Sequence, residues 1–336
     1  MAWRAAAIGL QHGHITSFLA FAQKHPEVEL VAVAEAEAAV RERYAGQYRV
    51  PGYASAAELL AKHQVDVVGS APIHADAGGM VCEALRAGCH VVMDKPVHSL
   101  PDHQAVCEAV SDSGKQFWLM LTVRYSAGAR AMKELAHSGR LGKFVNFLAL
   151  RPHKLTLPSR PAWMFDSSKY SGIIVDLGVH DLDALRWVTG EEVTEIVAYH
   201  SNVRFTERPD FTDNGEILCQ TESGATALIR EDWLTPDASP MHGDCRFLLV
   251  GTEGYVEVRP GKDILGNQQA PVTLCTNDSP PEAVPLPEIK RGFYDDFLAA
   301  CAGETATELT TDDSLRASEL ALRAREAAES GNKLVL

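Results

Sequence analysis

The sequence predicts an α/β protein in two parts: an N-terminal doubly wound parallel sheet, then a C-terminal α/β domain with a large, mostly antiparallel open sheet. Three observations carry this. From Ala5 to Leu121, short apolar runs alternate with helix-length segments, the pattern of repeated right-handed βαβ crossovers with both sheet faces covered. Beyond Lys143 the apolar runs lack intervening helices of comparable length and are joined by turn signals such as Glu222-Ser223-Gly224 and Thr252-Glu253-Gly254, which favours antiparallel pairing. Finally, 336 residues exceed one average domain. The change of character near Thr122 divides the chain into residues 1–122 and 123–336.

In order, the apolar run from Ala5 reaches Gly9, and Ile15 to Gln23 has apolar residues at helical spacing, so the opening reads strand, tight turn, helix. Leu30 to Ala34 is a second strand closed by Glu35, about 25 positions after Gly9, near the spacing of a carboxylate that grips an adenosine ribose. The loop Gly9-Leu10-Gln11-His12-Gly13-His14 keeps only the first glycine of G-x-G-x-x-G. It still offers N–H groups and a helix N-terminus to a pyrophosphate, provided that Gln11 points away. Helices are predicted over Ser55–Lys62, Asp76–Ala87 and Ser99–Ser113, and strands over Val65–Gly69, His90–Met93 and Gln116–Leu121. Ligands of such sheets sit at the carboxyl ends of the strands. That rule singles out Gly9–His14, Ser70–Asp76 and Asp94–His98, hence Gly9, Leu10, Gln11, His12, Glu35, Ser70, Ala71, Pro72, Asp94 and Lys95 as cofactor-binding candidates. Lys95, between a buried-looking strand and Pro96, is placed to reach a ligand; the plain alternative is a solvated loop lysine.

In the second part, Arg124–Gly139 reads as a helix. Strands follow over Lys143–Leu150, Glu192–Val203, Glu216–Gln220, Ala225–Trp233, Cys245–Val250 and Gly254–Val258. Gly261–Pro287, rich in proline, reads as an irregular excursion, and Arg291–Cys301 and Ser314–Ala328 as helices. The outer sheet face is expected to carry Phe147, Ile196, Ile229 and Leu248 and to be covered by a second copy of the chain.

Composition narrows the function. Hydrophobic residues at 46% and charged ones at 23% are ordinary for a globular protein, and a formal net charge of -14 disfavours nucleic acid and anionic membranes as partners. No run approaches a membrane span, and the N-terminus lacks the apolar core of a signal peptide. Seven scattered cysteines without a C-x-x-C pair read as reduced thiols of a cytoplasmic protein. The 13 histidines form no H-x-x-x-H or H-E-x-x-H pattern, so no metal site is expected. A set assembled from the distant His153, His180, His200 and His242 stays open.

Chemistry concentrates in Ser171–Asp183. If this segment is helical from about Asp176, then Asp176 and His180 stand at i and i+4 on one face. A carboxylate beside an imidazole fixes its ring and favours its charged form, which makes the pair usable for proton transfer near neutral pH. A structural pair capping a buried helix is the alternative.

With these residues in place, the chain resembles the Gfo/Idh/MocA family of NAD(P)-dependent oxidoreductases along its whole length. Asp94-Lys95-Pro96 is similar to the family's Glu-Lys-Pro motif. Asp176-Leu177-Gly178-Val179-His180-Asp181-Leu182-Asp183 is similar to its D-x-G-x-H-x-x-D motif, the more specific match. Arg124-Tyr125 and Ser138–Gly142 resemble the entry to its second domain. Departures are Gln11, Ala71-Pro72-Ile73 in place of Thr-Pro-Asn, Asp76 in place of histidine, and Gly172-Ile173-Ile174 in place of a triple glycine. The resemblance implies a Rossmann domain followed by a domain whose open sheet builds dimers or tetramers. It also implies that Lys95, Asp176 and His180 surround the reacting carbon of a sugar, polyol or related substrate, with hydride passing between that carbon and nicotinamide. His180 is then the expected base, oriented by Asp176, and Lys95 the group that holds the hydroxyl. Trp163 and Arg124 are candidate substrate contacts, against ordinary core and a structural ion pair respectively. Glu35, with no arginine before Arg41, favours NAD over NADP. Two rivals remain: an NAD-retaining glycoside hydrolase and a non-catalytic dinucleotide-binding sensor. Intact Lys95, Asp176 and His180 argue against the sensor.

Overall fold

The computed structural model describes residues 2–261, 265 and 271–336. Its first sheet has six parallel strands in the order β3-β2-β1-β4-β5-β6: β1 (Trp3–Ile8), β2 (Val28–Ala34), β3 (Gly52–Tyr53), β4 (Val67–Ser70), β5 (His90–Met93) and β6 (Phe117–Leu119). The order reverses between β1 and β4, and that switch point opens a crevice at the strands' carboxyl ends. Ala5, Ala6 and Ala7 are fully buried at the sheet centre. The connecting helices are α1 (Ile15–Lys24), α2 (Ala38–Tyr48), α3 (Ala56–Lys62), α4 (His74–Arg86) and α5 (Leu100–Ser113). Ser55 and Ser99 cap α3 and α5 by accepting from the N–H groups of Glu58 and Asp102, which satisfies donors that the helix itself leaves free.

The second sheet has nine strands among the described residues, in the order β14-β13-β12-β11-β7-β10-β9-β8-β15. They are β7 (Phe144–Pro152), β8 (Val193–Ser201), β9 (Asn214–Thr221), β10 (Thr226–Asp232), β11 (Arg246–Gly251), β12 (Gly254–Val258), β13 (Val272–Thr276), β14 (Ser279–Val284) and β15 (Leu334–Val335). Every pairing is antiparallel except β7 with β10. Two helices, α6 (Ala127–His137) and α7 (Ile173–Thr189), cover one face. Phe147, Ile196 and Ile229 are fully buried and belong to that covered face, so the expectation that they line the outer face is corrected: strand alternation puts their neighbours outside. The outer row is Leu218, Leu228, Leu148 and Leu248, registered side by side across β9, β10, β7 and β11.

Two compact units emerge from the packing. The first comprises 1–121, 168–171 and 291–318, and the second 122–167, 172–290 and 319–336. The first thus takes in two segments that a single division at residue 122 assigns to the second. One of them carries α8 (Phe293–Cys301), whose Phe297 stacks edge-on against fully buried Trp118 at 5.3 Å between centroids. Burying such a ring contributes roughly 1.5–3 kcal/mol. The other late helix, α9 (Thr311–Ser330), accepts the Leu119 N–H on its Ser314 hydroxyl.

The expected irregular excursion is also corrected: outside its undescribed residues 262–264 and 266–270, Gly261–Pro287 contains β13 and β14. The prolines of β14 are tolerated because it lies at the sheet edge, where a missing N–H breaks no ladder. Helix α2 was not anticipated, since only Tyr44 of its residues is buried and no apolar stripe marks it.

Candidate functional site

The loop after β1 turns at Gly9, whose φ is +63° and whose added Cβ would lie 2.7 Å from Pro72 Cβ. Only glycine fits there. Leu10 donates its N–H to Glu35 Oε2 at 2.7 Å, and the Gln11 amide donates to Glu35 Oε1 at 2.9 Å and Glu37 Oε2 at 3.2 Å. Gln11 is therefore turned toward the end of β2, and Glu35, 6% exposed, clamps the loop to that strand. Glu37 also donates its N–H to Glu35 Oε1 at 3.1 Å; a carboxylate has about four lone-pair directions, so Glu35, with three donors, retains capacity for one further donor such as a ribose hydroxyl. Arg41 donates to the carbonyls of Glu35 at 2.6 Å and Ala36 at 3.0 Å, and Arg43 lies over the Tyr44 ring. Across the switch point, Ala71 donates its N–H to Gly9 O, and the buried Ser70 hydroxyl has no partner. A glycine turn with no room for a side chain, an acidic strand end and an orphaned hydroxyl fit a bound dinucleotide.

Asp94 closes β5 and is 5% exposed. Its two oxygens face two imidazoles, His12 Nδ1 at 2.7 Å and His14 Nδ1 at 3.0 Å. Burial works to raise its pKa, but the His14 and His12 rings outweigh burial and hold the carboxyl well below its usual range. Among the described residues this is the one group of three potential metal donors that converges. Among the described residues the His153, His180, His200 and His242 set is not such a group, although the His153 and His242 rings lie 4.7 Å apart. Lys95 follows Asp94 and is 6% exposed. In the same unit, the Ser171 N–H meets His74 Nδ1 at 3.3 Å and the Ser171 hydroxyl pairs with His98 Nδ1 at 3.0 Å, holding 168–171 against the loops after β4 and β5.

In the second unit, α7 starts at Ile173, half a turn or more before the expected start near Asp176, with Gly172 as its cap at φ +80°. Asp176 therefore lies in the first turn, where the helix N-terminus favours a carboxylate. Asp176 is buried and His180, one turn on, is half-buried, so the ring is the more accessible of the two.

The rest of the motif supports the helix. Arg124 grips Asp183 through both nitrogens, Nε to Oδ2 at 2.8 Å and Nη2 to Oδ1 at 2.6 Å, with Arg124 2% exposed and Asp183 fully buried. That geometry ties the short turn Thr122–Tyr125 to α7 and commits the guanidinium to an ion pair. Arg151 on β7 holds Asp181 by a second bidentate pair. Burial pushes Asp181 up and Arg151 pulls it down; the two-point geometry decides for the ionised pair, and it keeps Arg151 firmly charged. Gly178 faces β10, and a Cβ there would lie 2.4 Å from Glu231 Oε1. Glu231 is fully buried with neither carboxyl oxygen hydrogen-bonded, and burial, with Asp181 nearby, pushes its pKa well above the normal value. Its burial beneath the motif helix favours the neutral form. Trp163 is 6% exposed in the turn Ala162–Phe165.

Sequence reasoning did not find His14, Arg151 or Glu231. The His-x-His spacing was visible, but its third member lies 80 residues away. Arg151 and Glu231 sit in strands where nothing local marks a buried charge.

Residues 3–121 match the oxidoreductase family with an NAD-binding Rossmann fold, and residues 129–257 match the GFO/IDH/MocA C-terminal domain. The 1,5-anhydro-D-fructose reductase of Ensifer adhaerens is 27% identical over 285 residues, covering 82% of this chain and 81% of that protein. The inositol 2-dehydrogenase of Rhizobium meliloti (strain 1021) is 28% identical over 74% of this chain and 71% of its own. A solved structure from Erwinia carotovora atroseptica SCRI1043 superposes with a TM-score of 0.88 at 29% identity, covering 97% of this chain and 98% of that one. The chain belongs to the GFO/IDH/MocA family of oxidoreductases and carries its NAD-binding Rossmann domain.

Proposed function

We propose that the protein is an NAD-dependent dehydrogenase that moves a hydride between nicotinamide and a hydroxyl or carbonyl carbon of a sugar, polyol or related small molecule. The observation that carries this reading is α7, which puts a buried carboxylate, Asp176, one turn before an accessible imidazole, His180, in a chain with an NAD-binding Rossmann domain. The relatives named for an anhydro-sugar and a cyclic polyol support the substrate class.

Bound nicotinamide supplies the hydride acceptor or donor. His180 takes the hydroxyl proton as the carbonyl forms and returns it in the reverse direction, with Asp176 orienting the ring and stabilising its cationic form. Lys95 holds the substrate oxygen by a charge-assisted hydrogen bond and stabilises developing alkoxide. Trp163 serves as a wall residue, and Arg124 acts through Asp183 by anchoring α7.

NAD is favoured over NADP because Glu35 stands at the ribose position and Arg41 is committed to backbone carbonyls. A second copy of the chain is proposed to cover the outer row Leu148, Leu218, Leu228 and Leu248, giving a homodimer or homotetramer; Leu218 is 49% and Leu228 41% exposed, more than an isolated sheet face tolerates well. The seven free cysteines fit a cytoplasmic setting, and among the described residues no helix is long and apolar enough to cross a membrane. Substrate deuterated at the carbinol carbon tests the chemistry: label must appear in the reduced nicotinamide with a primary isotope effect. Turnover without label transfer defeats the reading.

A further inference from the structure

We propose that His12, His14 and Asp94 bind one divalent transition-metal ion of the zinc class at the loop that opens α1. The donor set is two imidazole nitrogens and a carboxylate oxygen, all within 4.8 Å of one another. Two neutral nitrogens with one anionic oxygen suit Zn²⁺, Co²⁺ or Fe²⁺, whereas Mg²⁺ and Ca²⁺ prefer oxygen alone. Three protein ligands leave coordination positions for water or an anionic oxygen.

The frame that holds the donors is rigid. His12 donates its N–H to Ala71 O at 2.9 Å, Asp94 donates its N–H to Ser70 O at 2.7 Å, and Ser17 ties down the His14 carbonyl through its hydroxyl at 2.9 Å. Asp94 is 5% exposed, so its carboxylate is held inside the loop with its oxygens toward the two rings. His12 Nδ1 and His14 Nδ1 lie 2.7 and 3.0 Å from its two oxygens. Donors around a tetrahedral ion with bonds of about 2.0–2.1 Å stand roughly 3.3 Å apart, so the two nitrogen–oxygen distances lengthen by a few tenths of an ångström, and all three donors already lie within 4.8 Å of one another. His14, with a side chain 57% exposed, has space for that movement. Binding through Nδ1 leaves each neutral ring with its proton on Nε2. The α7 pair does not use this cluster, and of the two positions at which the loop departs from the glycine pattern, Gln11 and His14, the second supplies one of the nitrogens.

The test is calorimetric titration of chelator-treated, full-length protein with ZnCl₂ alone, repeated in buffers of different ionisation enthalpy, with Co²⁺ absorbance as a second probe. One ion per chain is expected, with dissociation constant on the order of 10 µM or tighter. His14→Ala should weaken binding by about tenfold or more, since even outer-shell partners of a metal cost that much. Its side chain is exposed, so the variant should keep its fold, which circular dichroism checks; His12→Gln and Asp94→Asn are the companion variants. Absence of saturable 1:1 binding in the wild type overturns the proposal. So does 1:1 binding that is unchanged in folded His14→Ala and His12→Gln, which would place the ion elsewhere. Neither dinucleotide nor turnover enters the measurement, so its outcome is separate from that of the dehydrogenase reading.

Discussion

Replacing Asp183 by asparagine tests the claim that the last carboxylate of the α7 motif holds the helix in place. The pair with Arg124 is bidentate at 2.6 and 2.8 Å, between groups 2% and 0% exposed. Asp183→Asn would keep the shape of the side chain but remove the charge that meets the Arg124 guanidinium in the interior. Breaking a buried pair on one side costs about 3–5 kcal/mol, and two charge-assisted hydrogen bonds at roughly 1.5–3 kcal/mol each give the same range. Arg124→Met alone removes the cation instead and should cost a similar amount. The double variant Arg124→Met, Asp183→Leu removes both charges and should be destabilised by clearly less than the sum of the singles, with a coupling of about 2 kcal/mol or more. Urea unfolding followed by circular dichroism and by tryptophan fluorescence measures this, with two probes because the two units can unfold separately. A loss under about 1 kcal/mol for Asp183→Asn, or strict additivity in the double variant, would refute the reasoning.

His180→Ala should cut turnover by about 10²- to 10⁴-fold with dinucleotide affinity nearly unchanged, while Lys95→Ala should lower turnover and also weaken substrate binding; steady-state kinetics that spare His180→Ala but not Lys95→Ala would reverse the assignment. Burial raises the Glu231 pKa in the fold, so stability falls as pH rises from the unfolded carboxyl value toward the folded one, by about 1.4 kcal/mol per pH unit. Glu231→Gln cannot ionise; it should match the wild type at low pH and exceed it increasingly as pH rises, and a gap independent of pH in a denaturation series contradicts this. Leu218→Lys with Leu228→Lys should reduce the mass seen by light scattering to that of one chain, and a wild type that is already monomeric at micromolar concentration refutes the outer-face assignment.

What the sequence made legible is whatever is local and periodic. The strand His90–Met93 and the cap residues Ser55 and Ser99 were readable because apolar runs and capping side chains announce themselves within a few residues. The start of α7 was placed late because Ile173 and Ile174 read equally well as strand, and the positive φ at Gly172 that ends the preceding loop cannot be read from its neighbours. The outer sheet face was misassigned at Phe147, Ile196 and Ile229 because both faces of β7, β8 and β10 carry apolar side chains, so alternation has no polar phase to fix it. The partners Arg124–Asp183, Arg151–Asp181 and Asp94 with His12 and His14 are separated by 59, 30 and about 80 residues. Pairing at such range is a property of the fold.

The central claim, NAD-dependent hydride transfer on a sugar or polyol, is tested most directly by the absorbance of NADH formed from fixed NAD across a panel of sugars, polyols and cyclic polyols, with His180→Ala run alongside. The account predicts NADH with one stereochemical series and its loss in the variant. Tight NAD binding with no NADH from any member, or formation that His180→Ala leaves intact, contradicts it.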